Sequence, residues 1–113
     1  MNLDELLKIG QKTKSVKIGG IEFVLKPLTL SDEKKVLASS HWAGSDDLYA
    51  RFRANEIESI PYAIDTVDGK KMSIEEKINL LNNLSSPIRR KIEDTYRELT
   101  SETQKEMDDL KNE

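Results

Sequence analysis

The chain has 113 residues, of which 35% are charged and 36% hydrophobic, with one His, no Cys and a formal net charge of −3. That length fits one domain with a modest core, and the missing thiols exclude a disulfide scaffold and any thiolate metal site. Residues 1–30, 31–88 and 89–113 carry +2, −3 and −2, so no segment is the polybasic block that a phosphate-tracking surface needs, and no nucleic-acid partner is expected.

In chain order, Asn2–Ile9 reads as a short amphipathic helix. Leu3, Leu6 and Leu7 share a side by three-and-four spacing, and Gly10 provides a stop. Ser15–Ile18 and Ile21–Lys26 alternate apolar and polar residues around Gly19-Gly20. The pair suits a two-residue primed turn, so a β-hairpin is expected. Two strands alone are marginal in water, so the hairpin must lie on helices, pair with strands of a partner, or both.

Pro27 ends the second strand. Thr29 or Ser31 can cap a helix running to about Ser40, with Asp32 and Glu33 at its positive end and Val36 and Leu37 turned inward. His41–Asp47 reads as a loop. A longer helix starts at Asp46 or Asp47, and Leu48, Phe52, Ile57, Ile60, Ile64 and Val67 approximate one apolar face. Pro61 predicts a kink or restart near Ser59–Pro61, because an interior proline removes a backbone bond and clashes one turn back. Asp68-Gly69 is a turn. Ser73 and Glu76 form a capping box ahead of a helix with Ile74, Ile78, Leu81 and Leu84 on one face. Ser86-Pro87 opens a last helix carrying Ile88, Ile92, Tyr96 and Leu99, and Thr100–Thr103 either continues or restarts it.

The fold class is therefore α+β, mainly α: an N-terminal β-hairpin followed by a small bundle of about four helices. Residues 1–14 are a short helix and loop, residues 15–100 the core domain, and residues 101–113 a polar helical tail. No apolar run approaches the roughly 20 residues of a membrane-spanning helix. Asp4 and Glu5 interrupt the first ten residues, so no secretory leader and no membrane partner are expected.

No residue set carries chemistry. One His without Cys does not make an ordinary transition-metal site, and His41 beside Trp42 is read as surface or packing. Trp42 either anchors its loop on the core or presents an interface anchor. Asp46-Asp47 and Glu75-Glu76 stand at helix starts, where the helix dipole accounts for them, and Asp108-Asp109 lies in the tail. Asp65–Gly69 fails as a calcium loop, having Val67 and Gly69 where ligands belong. Arg51, Arg53, Arg89 and Arg90 suit interface forks, though intrahelical pairing with nearby Glu is the simpler account. No catalytic residue, cofactor or metal is assigned.

Three stretches carry a resemblance. "KIGGIEFVLKPLTLSDEKKVLA" is similar to the start of bacteriophage tail assembly chaperones: an alternating strand, a Lys-Pro-Leu-Thr step, then an acidic helix start. "LYARFRANEIESIPYAIDTVDGKKMS" resembles a segment of such chaperones and of small phage baseplate or hub proteins. Arg51, Arg53, Ala63, Ile64, Val67, Asp68 and Gly69 stand at the matching positions. "LSSPIRRKIEDTYREL" fits the same pattern, and together they cover roughly residues 15–100. The resemblance implies a non-enzymatic assembly factor in the host cytoplasm that holds the tape measure protein soluble during tail morphogenesis. The alternative it leaves is a structural baseplate or hub component of the virion. Partner contact is expected at Phe23, Trp42, Ile88, Ile92, Tyr96 and Leu99, on the last helix and the hairpin. A homo-oligomer is compatible with this reading.

Overall fold

The computed structural model describes residues 2–39 and 47–111. Helix α1 (Leu3–Ile9) opens on Asn2, whose side chain accepts from the Glu5 amide at 2.9 Å. Strands β1 (Lys14–Ile18) and β2 (Ile21–Leu25) form the expected antiparallel hairpin, with Ile18 opposite Ile21. Gly19 and Gly20 both have positive φ, 60° and 83°, as a type I′ turn requires.

Helix α2 (Leu30–Ser39) starts on a reciprocal cap. The Asp32 amide donates to Thr29 Oγ1 at 3.2 Å, and the Thr29 amide donates to Asp32 Oδ2 at 3.0 Å. Asp47 caps α3 (Leu48–Ala63), accepting from the Tyr49 and Ala50 amides. Pro61 does not restart α3, which is one continuous helix. It stands in the last turn, and the helix ends two residues beyond it.

Beyond Ala63 the chain departs from the expected apolar helix face. Ile64–Val67 is a third strand, β3, antiparallel to β2, with Phe23 opposite Val67 and Leu25 opposite Ile64. The helix cannot continue because Ile64 is already extended, at φ −77° and ψ 117°. Its β-branched neighbours suit the pleat, and the Lys26 amide reaches the Ala63 carbonyl at 2.8 Å. The sheet is thus three-stranded, in the order β1-β2-β3. Asp68 and Gly69, at φ 54° and 79°, turn the chain so that Val67 and Lys70 exchange both backbone bonds. The Asp68 amide donates to the Glu22 carbonyl, and Asp68 Oδ1 accepts from the Glu22 amide, which fastens this turn to β2.

Ser73 and Glu76 cap α4 (Ile74–Asn83) as expected: the Glu76 amide donates to Ser73 Oγ, and Ser73 Oγ donates to the Glu76 carboxylate. Lys77 on α4 donates to the Ile64 carbonyl at 2.7 Å, and burial, then the nearby Lys26, lower its pKa. Helix α5 (Ser86–Lys111) runs unbroken for 26 residues, with no restart at Ser101. Lys14 pairs with Glu98 and Glu102, and Lys12 with Glu106, tying the far half of α5 to β1.

The core lies between the sheet and the helices. Phe23, Leu25, Ile60, Ile64, Leu81, Ile92 and Leu99 form it, with Val16, Ile18, Val67, Leu80, Leu84 and Tyr96 packed around them. Each large apolar side chain buried there contributes about 1.5–3 kcal/mol. The radius of gyration is 15.1 Å, against about 13 Å for a tightly folded chain of this length. The excess fits an α1 without buried residues and the long α5.

Candidate functional site

Helices α2 and α3 carry four strongly exposed apolar residues. Leu37 is 70% exposed, Leu48 64%, Tyr49 77% and Phe52 74%. Val36 is buried as expected, but Leu37 points outward because no described element covers that side of α2. On α3, steps of four, seven and four place Leu48, Phe52, Ser59 and Ala63 on one side. Ser59 and Ala63 are buried, whereas Leu48 and Phe52 overhang the core.

Two grooves meet at Phe52 and Glu56. One, of about 480 Å³, runs between α3 and α5 past Tyr49, Phe52, Arg53, Arg90 and Arg97. The other, of about 430 Å³, runs between α2, α3 and α5 past Leu28, Val36, Leu37, Phe52 and Tyr96. Phe52 therefore forms a shared wall between an arginine-lined groove and an apolar one.

Below the first groove lies a charged cluster. Glu93 is fully buried. Its Oε1 accepts from Arg89 Nε at 3.1 Å and its Oε2 from Arg53 Nη2 at 3.1 Å, while Arg97 Nη2 stands 3.8 Å away. Arg97 also pairs with Glu56 and with Asp94, and Arg53 with Glu56 at 3.5 Å. The Glu93 carboxylate raises the pKa of Arg53, so that guanidinium stays charged. Arg and carboxylate thus fix α3 against α5 through paired forks. Arg90 lines the same groove and joins no ion pair among the described residues.

The residues expected to touch a partner are dispersed. Phe23, Ile92 and Leu99 are core, 3%, 0% and 2% exposed. In this fold they hold the sheet to α5 and face no solvent. Ile88 is partly buried, and Tyr96 is half-buried in the wall of the second groove. Trp42, with His41 beside it, lies outside the described residues. Of the four arginines singled out, Arg53 and Arg89 meet at Glu93, Arg90 lines the groove and Arg51 is exposed. Leu48, Tyr49, Phe52, Glu93 and Arg97 were not singled out as site residues. Three large apolar residues within five positions of the Asp47 cap were the available signal for the first three.

Among the described residues, no group of three or more His, Asp or Glu side chains could hold a metal ion, and no helix is long and apolar enough to cross a membrane. What the surface offers is two bare leucines beside aromatic rings and arginine forks, and the rings and forks are side chains enriched where proteins bind one another. Comparison with protein-family models, with curated proteins and with solved structures finds no match to this chain.

Proposed function

We propose that the protein is a non-enzymatic bacteriophage tail assembly chaperone, acting in the host cytoplasm, which binds the tape measure protein and keeps it soluble during tail morphogenesis. The observation that carries this reading is the set of bare apolar residues Leu37, Leu48, Tyr49 and Phe52, each more than 60% exposed, of which Leu37, Tyr49 and Phe52 line the two grooves. A long helical partner with apolar stripes would lay one stripe along such a face, as amphipathic helices do in hydrophobic grooves. Arg90 and the Arg53–Arg97 pair would meet acidic residues on its flanks. The phage-like stretches of sequence supply the identity of the partner.

Co-expression with the tape measure protein of the same phage tests the proposal. The expected result is a gain in soluble partner that Leu37→Ser/Phe52→Ser removes while far-ultraviolet circular dichroism stays unchanged. No gain with the parent chain defeats it. Mass spectrometry of purified virions provides the second arm. Stoichiometric copies in the particle would replace the chaperone reading with that of a structural baseplate or hub component.

A further inference from the structure

Helix α5 is anchored in the core over only half of its length. Its buried residues are Ile92, Glu93, Thr95 and Leu99, and among the described residues none beyond Leu99 is buried. Residues 100–111 continue the helix for about 18 Å. A helix that short is marginal in water by itself, so contacts outside the core must hold it in place. The contacts on its β1 side are ionic. Glu98, Glu102 and Glu106 stand four residues apart on one side of α5. Lys14 pairs with Glu98 at 3.6 Å and with Glu102 at 2.5 Å, and Lys12 pairs with Glu106. The charge behind these pairs has the same signs. Residues 8–17 carry four Lys and no acid, whereas residues 98–109 carry five acids and one Lys. That Lys105 lines a groove with Tyr96 and Arg97, away from the pairs.

We infer that residues 100–111 form an arm which this ionic clasp holds against the start of β1, and that the arm opens as a unit when salt screens the clasp, while the sheet and the rest of α5 stay folded. Exposed ion pairs are individually weak, and they fade once the Debye length falls to the separation of the charges. All five side chains of the clasp stand partly in solvent, from Lys14 at 30% exposed to Glu98 at 63%. Opening is therefore a low-energy event, as it is for segments with few buried apolar contacts. The near half of α5 keeps its place because Ile92 and Leu99 belong to the core. Opening uncovers Thr103, Met107 and Leu110, which share one side at steps of four and three and are partly covered in the closed arm. The result is an apolar strip whose exposure follows ionic strength. The inference stands apart from the proposed function, because it concerns only this chain and needs no phage partner.

Amide hydrogen exchange of the full chain, followed by nuclear magnetic resonance as protection factors, tests it. Between about 0.01 M and about 1 M sodium chloride the Debye length shrinks from about 30 Å to about 3 Å. Over that range residues 104–110 should lose about tenfold in protection, while residues 92–99 change by less than about twofold. Lys12→Gln/Lys14→Gln should show the lowered protection already in low salt and little further change on adding salt. Lys12→Glu/Lys14→Glu should open the arm in low salt, and adding Glu102→Lys/Glu106→Lys should close it again. Protection of residues 104–110 that ignores salt overturns the inference. So does a loss shared equally by residues 92–99, or an arm that the exchanged charges fail to close. A negative co-expression result with the tape measure protein would leave every one of these readings in place.

Discussion

The two ends of α3 differ sharply. At its C-terminal end, Ile60 and Ala63 are sealed against the sheet and α5, and Ile64 continues the same core as a strand. At its N-terminal end, Leu48, Tyr49 and Phe52 have comparable hydrophobicity and stand in solvent. One helix thus serves as core at one end and as open surface at the other, and the difference lies in what packs on it. Stability should reside in the first region and interaction in the second.

Core truncation is the largest expected effect. Ile92→Ala should cost about 2–5 kcal/mol, as large-to-small changes in packed interiors do. At about 4–8 °C per kcal/mol for a domain near this size, Tm should fall by roughly 10 °C or more. Phe52→Ala should shift stability by no more than about 0.5 kcal/mol, like other exposed substitutions. Thermal melts of the two variants side by side test the contrast. Equal losses would mean that Phe52 is structural.

The charged cluster links the two ends and sharpens the comparison. Arg53→Met/Arg89→Met leaves Glu93 buried with only Arg97 within reach, at 3.8 Å. Breaking a buried pair by removing one side costs about 3–5 kcal/mol, whereas replacing both sides by apolar residues of similar volume is often neutral. Denaturant unfolding should therefore show a loss toward the lower end of that range for the double variant and substantial recovery when Glu93→Met is added. A triple variant weaker than the double would mean that the ions themselves hold α3 to α5.

A smaller effect is expected at the hairpin. Gly20 has φ 83° with nothing within 4 Å of where a Cβ would stand, so the penalty there is backbone strain alone. Gly20→Ala should cost about 1–2 kcal/mol, read as a shift in denaturant midpoint with an unchanged slope.

These contrasts also show which features could be read before the fold was in hand. The hairpin was legible because alternation and Gly19-Gly20 act locally, and so was the Ser73–Glu76 cap. Strand β3 was not. Ile57, Ile60 and Ile64 keep helical spacing, and only β2, some forty residues earlier in the chain, makes Ile64–Val67 extended. The Arg89–Glu93 pair is visible as an i, i+4 step, but Arg53 reaches Glu93 across forty residues. Apolar type alone does not separate core from contact surface. Phe23, Ile92 and Leu99 read as contacts and are core, while Leu37 read as core and is bare.

Tyr96 stands between the two regions, touching the core on one side and lining the α2–α3–α5 groove on the other. Burial raises the pKa of its phenol, Thr100 acts against that by hydrogen bonding, and Glu33 and Asp32 add to the rise. The folded chain therefore keeps this proton at a pH where the unfolded chain, at about 10, has lost it. Its contribution to stability is complete below that value and is lost as pH climbs through the raised one. Subtracting the alkaline phenolate titration of Tyr96→Phe from that of the parent should leave one transition above about 10. A transition at or below that value would place Tyr96 in open solvent, and the groove would lose the wall that joins it to the core.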